Sequence, residues 1–200
     1  MTRASVGTTG SAAGEGRASL LVLAPMGIEQ AALGKTQRVL RTGMGPERAR
    51  IAAARALAID AKSVAIAGLC GGIDASLRAG DVVCASELRC EDGTAVQVPG
   101  AAELAETARR HGLRAHVGAL VSSERVLKPA ERARLDGALA VDMESAWLAE
   151  SAGDRPLAVL RVVVDGAGRR LADPRIAVDG VRALRALRRC SSVLSEWAAS

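Results

Sequence analysis

The chain contains no phenylalanine and no tyrosine, and two tryptophans are its whole aromatic content. Proteins that grip exposed bases stack them on aromatic side chains. This chain has almost nothing to stack with, which argues against a nucleic-acid partner in spite of a net charge of +5. The arginines are spread over many segments and read as a solvated surface. Histidine is equally scarce. His111 and His116 stand beside Cys70, Cys84, Cys90 and Cys190, which show no C-x-x-C spacing, so no metal site is expected. The cysteines read as reduced thiols, the pattern of a cytoplasmic protein. No apolar run reaches the roughly 18 residues needed to cross a bilayer.

What is present is apolar and aliphatic. Two hundred residues, 49% of them hydrophobic, suffice for one α/β domain with a buried core. Residues 1–17 are rich in Gly, Ser, Thr and Ala and read as a disordered lead rather than a signal peptide. The folded domain is expected over 18–200. Leu20–Ala24 is wholly apolar and ends at Pro25, and the stretches 39–42 and 64–67 likewise run into glycine. Each reads as a buried strand. Residues 46–59 open with Pro46 and read as a crossover helix.

Further strands are expected at 81–85, 117–121, 138–141 and 157–164. Helices are expected at 101–112, 129–135, 143–152 and 178–198, with a polar loop carrying Gly166, Gly168 and Pro174 before the last. In that last helix Val178, Val181, Leu184, Leu187, Leu194 and Trp197 are expected to face the sheet. The pattern predicts a single three-layer α/β domain. Its central sheet is mixed and largely parallel, flanked by helices, with ligands bound at the carboxyl edge.

Three groups of residues stand out as chemistry. Ala140-Val141-Asp142-Met143-Glu144-Ser145-Ala146 places a carboxylate directly after a methionine at a helix start, with Asp142 placed to cap that helix. The apolar run 157–164 ends in Asp165. Gly43-Met44-Gly45 and Gly68-Leu69-Cys70-Gly71-Gly72 lie at predicted strand ends, where a backbone without side chains lies close to a sugar or an anion.

These segments resemble the purine nucleoside phosphorylase and nucleosidase superfamily, which includes the methylthioadenosine and adenosylhomocysteine nucleosidases. Residues 68–83 together with Ala140-Val141-Asp142-Met143-Glu144-Ser145 are most similar to its hopanoid-associated branch, credited with removing adenine from adenosylhopane. The resemblance covers about residues 18–198. It implies cleavage of the N-glycosidic bond of an adenine nucleoside. Asp165 would protonate the base, Glu144 would bind the ribose hydroxyls with Met143 against the sugar, and Glu29 would activate water.

The resemblance implies no cofactor, with inorganic phosphate as the alternative co-substrate. Gly43, Met44, Gly45 and Arg41 would line the phosphate or water pocket, and Gly71, Gly72, Val126 and Leu127 the base pocket. A homo-oligomer is implied as well. Arg161 is placed either to orient a carboxylate such as Glu144 or to form a plain salt bridge.

The chain also departs from its relatives. Ile66 and Leu69 replace the arginine and serine that bacterial phosphorylases carry in the second glycine segment, which favours hydrolysis. Val126 replaces an aromatic residue that packs on the purine, a loss of roughly 1 kcal/mol of stacking. The segment between Glu91 and Ala101 is shorter than the ribose-tail loop of the nucleosidases. That opens the 5' side of the sugar to an apolar substituent, and a lipid-linked nucleoside would bring peripheral membrane contact. The alternatives are a methylthioadenosine or adenosylhomocysteine type of nucleosidase, or an inactive nucleoside-binding module.

Overall fold

The computed structural model describes residues 20–34, 38–165 and 176–200. The expected lead over 1–17 and the loop with Gly166, Gly168 and Pro174 lie outside them. The elements, in order, are β1 (Leu20–Ala24), α1 (Gly27–Leu33), β2 (Arg38–Arg41), α2 (Pro46–Leu57), β3 (Ser63–Gly72), β4 (Val82–Cys90) and β5 (Ala95–Gln97). There follow α3 (Ala101–Arg110), β6 (Ala115–Ser122), α4 (Pro129–Arg132), β7 (Ala138–Asp142), α5 (Ser145–Leu148), a 3-10 turn (Ala149–Ala152), β8 (Leu157–Asp165) and α6 (Ile176–Trp197).

The sheet is mixed, as the sequence pattern predicts. β2, β1 and β3 run parallel, and β3 continues parallel to β8. β8 then pairs antiparallel with β4, β4 parallel with β6, and β6 parallel with β7. β7 returns to pair antiparallel with the last residues of β3. The ladder β3-β8-β4-β6-β7 therefore closes on itself. The seam is at Gly71, which is in register with Asp165 on one side and Val141 on the other, where the β3–β8 register shifts. This topology brings residues 140–146 and the end of β8 together although they lie on different strands.

Alternate strand residues feed two cores, one on each face of the sheet. Val22, Ala65, Leu160 and Val162 point to α1, α3 and α6, whereas Leu23, Ile66, Val159 and Val163 point to α2 and α5. With no phenylalanine or tyrosine to fill space, the helices approach the sheet closely through alanine. In α2, Ala49, Ala52, Ala53 and Ala56 recur at helical spacing and are all buried.

Five expectations are corrected. β3 extends to Gly72, so Gly68 to Gly72 continue the strand that was expected to end at residue 67. α1 forms where only a loop was read, because Glu29 supplies a carboxylate that accepts the Met26 backbone N–H at its start. The helix expected over 143–152 is a single α turn continued as 3-10, and that expected over 129–135 is α-helical only through Arg132. Finally, α6 buries Ala183, Ala186, Leu187, Cys190, Val193 and Leu194, while Val178 and Val181 are exposed. Small residues let the helix turn its alanine and cysteine side inward, away from the valines.

Leu160 is fully buried at the centre of β8. Leu160→Ala is expected to lower the unfolding free energy by about 2–4 kcal/mol, read as a lower urea midpoint with an unchanged slope.

Candidate active site

One cavity of about 380 Å³ opens where the ends of β1, β3, β7 and β8 meet. Among the residues singled out from the sequence, Glu29, Met44, Gly71, Val126, Leu127, Met143, Glu144 and Asp165 line it. Gly43, Gly45, Gly72 and Arg41 do not. Arg41 is exposed on β2, and Gly45 instead donates its N–H to Glu144 Oε1 at 3.3 Å. Gly43 turns the chain with φ +82°, and a Cβ there would fall 2.8 Å from Arg48 Cδ.

The floor of the cavity is a charge network around one guanidinium. Arg161, in the middle of apolar β8, is fully buried. Its Nη2 lies 2.7 Å from Asp142 Oδ2 and 3.6 Å from Glu144 Oε2, and its Nε donates to Ser145 Oγ at 3.0 Å. Asp142 caps α5 through the N–H groups of Glu144 and Ser145, and also accepts from Ser145 Oγ and Ser122 Oγ. Ser122 in turn accepts the Ala146 N–H. Every polar arm of Asp142 is thereby engaged, and Glu144 is left to face the cavity.

Glu29 is 1% exposed. Its Oε1 accepts the Leu69 N–H and its Oε2 the Met26 N–H, both at 2.7 Å. Burial pushes its carboxyl up, against the pull of Arg161 and those two N–H groups. Arg161 Nη1 has no hydrogen-bond partner among the described residues. It and Glu29 Oε1 crowd the space that Gly68 leaves empty, since a Cβ on Gly68 would fall 2.5 Å and 2.6 Å from them.

Asp165 is also buried, and its Oδ2 is 2.7 Å from Arg132 Nη1. Arg132 was not singled out from the sequence. It is one arginine among many there, and its partner is 33 residues away. The walls are aliphatic: Leu69, Val164, Val126 and Leu127 face the cavity with Met26, Met44 and Met143. Met26 was also missed, although the chain has only four methionines and three of them meet here. Trp147 is not in the cavity; it packs beneath α2 with the Arg50 guanidinium 5.5 Å over its ring. Cys70 does line the cavity, but burial holds its thiol far above the usual range, which excludes a thiolate nucleophile.

The sequence over residues 28–196 matches the phosphorylase superfamily. The chain belongs to that family. Solved structures agree in fold. The Campylobacter jejuni 5'-methylthioadenosine/S-adenosyl homocysteine nucleosidase superposes with a TM-score of 0.77 at 15% identity, covering 90% of this chain and 98% of that one. The Neisseria meningitidis nucleosidase of the same name, in complex with methylthio-immucillin-A, gives 0.71 at 20% identity, covering 90% and 99%. The Helicobacter pylori futalosine hydrolase gives 0.70 at 16% identity, covering 88% and 94%. No curated relative matches the chain significantly by sequence.

Within this fold, Glu29 and Glu144 carry an ionisation penalty from burial. Burial pushes Glu144 up to about 7 from an ordinary value of 4.5; Arg161 opposes the shift and Asp142 adds to it. A folded-state value above the unfolded one means that the folded protein binds the extra proton between the two. The ionisation penalty is therefore absent below about 4.5, fully present above about 7, and stability falls as pH rises through that window. Glu144→Gln keeps an acceptor for the Gly45 N–H but cannot ionise. It is expected to melt above the parent protein at pH 8, by on the order of 1–3 kcal/mol, with the gap closing as the pH approaches 5. A gap that is constant from pH 5 to pH 8 would separate the effect from ionisation of Glu144.

Proposed function

We propose that this protein hydrolyses the N-glycosidic bond of an adenine nucleoside whose 5' substituent is bulky and apolar, with adenosylhopane as the favoured substrate. The observation that carries this reading is the convergence of Glu29, Glu144 and Asp165 on one cavity above Arg161. Cleaving such a bond requires stabilising positive charge on the ribose, supplying a nucleophile to C1' and protonating the leaving base. The three carboxylates divide these tasks.

Glu144 binds the ribose hydroxyls. It is pinned by the Gly45 N–H at the start of α2 and by Arg161. Together with Glu29 and Asp142 it places more negative than positive charge beneath the sugar, which favours an oxocarbenium-like transition state. The nucleophile in this scheme is a water molecule held at Glu29. Its oxygen attacks C1' and Glu29 takes its proton. The electron pair of the C1'–N bond passes to the purine, and Asp165 gives a proton to a ring nitrogen. The products are the free base and a sugar bearing the new hydroxyl, and the reaction consumes only water. Burial raises the Glu29 carboxyl, which makes it a stronger base than an exposed glutamate.

Hydrolysis is favoured over phosphorolysis because, of the groups suggested for phosphate, only Met44 lines the cavity. Arg41 lies outside it, and the Gly45 N–H is taken by Glu144. The apolar 5' substituent is supported by Met26, Met44 and Met143 together with Val126; Met44 and Val126 are 46% and 52% exposed at the rim. Among the described residues no helix is long and apolar enough to cross a membrane, so a lipid-linked substrate would be met at the membrane surface. A soluble nucleoside such as 5'-methylthioadenosine is the second reading, since the fold likeness to nucleosidases of that name favours it.

Release of free adenine from 5'-methylthioadenosine and from adenosylhopane, with and without phosphate, tests the proposal. Adenine release independent of phosphate is expected, with kcat/KM higher for adenosylhopane. Asp165→Asn should lower kcat by roughly two to four orders of magnitude, and Glu29→Gln should abolish turnover. Full phosphate-dependent release by Glu29→Gln would overturn hydrolysis, and absence of release from either nucleoside would leave a binding module.

A further inference from the structure

We infer that Arg132 is a positioning residue for Asp165, selecting which carboxyl oxygen faces the base and coupling the base-pocket loop to the end of β8. The inference rests on the reading of Asp165 as the proton donor. Arg132 closes the short helix α4 and is 8% exposed. Its guanidinium touches three separate parts of the chain. Nη1 donates to Asp165 Oδ2 at 2.7 Å, and Nε donates to the Leu127 carbonyl at 3.1 Å. The third contact is with Gly71, on which the group rests. A Cβ there would fall 2.6 Å from Nη1 and 2.8 Å from Cζ.

Gly71 is the seam residue where β3 leaves β8 for β7. A guanidinium fits there only because the position carries no side chain. Leu127 belongs to the base-pocket wall, so one planar cation links wall, seam and proposed acid. A buried ion pair is by itself a weak source of stability. A rigid fork whose remaining N–H is bonded elsewhere does, however, fix the plane of the carboxyl it holds.

The consequence is chemical. Asp165 Oδ2 is taken by Arg132, and Oδ1 is the oxygen left to hold the proton for the leaving base. When that proton moves to the purine nitrogen and the C1'–N electron pair passes to the base, Asp165 is left as a carboxylate. The new charge forms directly beside a cation already in place, an arrangement that favours the transition state over the ground state. Arg132 touches neither sugar nor base in this scheme and acts through Asp165.

The test uses two substrates that differ in their need for an acid. 5'-Methylthioadenosine requires protonation of its leaving base, whereas 4-nitrophenyl β-D-ribofuranoside expels a nitrophenolate that leaves unaided. Arg132→Met is expected to lower kcat on 5'-methylthioadenosine by roughly 10- to 100-fold, with a smaller change in KM. Cleavage of the nitrophenyl riboside should stay within a few-fold of the parent protein. Arg132→Lys should restore part of the loss.

Parallel loss on both substrates in Arg132→Met and Arg132→Lys would reduce Arg132 to a structural strut and overturn the inference, as would no loss on either. Asp165→Asn is measured alongside. If it shows the selective defect and the Arg132 variants do not, the inference alone fails. If it retains full activity on 5'-methylthioadenosine, the assignment of Asp165 fails and the role of Arg132 fails with it.

Discussion

A single guanidinium without access to water sets the terms for this molecule. Arg161 sits in the centre of an apolar strand, where an unpaired charge would be prohibitive. It is tolerable because Asp142 lies within 2.7 Å, Glu144 within 3.6 Å, and Ser145 accepts from its Nε. The dependence also runs the other way. Asp142, Glu144 and Glu29 are all buried, and without the arginine their mutual repulsion would add to the cost of desolvation. Gly68 completes the arrangement by carrying no side chain where Arg161 and Glu29 need the volume.

One cation for three carboxylates leaves the balance short of neutral. Burial raises the carboxyls of Glu29 and Glu144. The same shortfall opposes folding above neutral pH, so the site holds stability in reserve for chemistry, as functional sites commonly do. A second pair, Arg132 with Asp165 at 2.7 Å, joins α4 to the end of β8.

Much of this was legible in the residues. Asp142, Met143 and Glu144 are consecutive, so their grouping needed no fold. Asp165 ends a run of apolar residues whose strand character is unmistakable. Glu29 was harder, since its short helix has little hydrophobic pattern and is started by the glutamate itself. The second glycine segment was read as a strand end whose bare backbone admits ligand. Its glycines are strand residues, and Gly68 and Gly71 make room for the protein's own arginines. Arg132 and Met26 had no local signal, because an arginine among many and a methionine beside a proline acquire a role only from what packs against them.

The local order of strands and helices, the aliphatic core and the adjacency of residues 142–144 follow from the sequence by itself, because hydrophobic period, proline and capping groups act over a few residues. The closure of the ladder at Gly71, the meeting of Glu29 with residues 40 to 136 positions away, and the pairing of Arg132 with Asp165 were decided by tertiary structure. Charge compensation in a buried space depends on distance through the fold. Spacing along the chain does not encode which carboxylate a given arginine will reach.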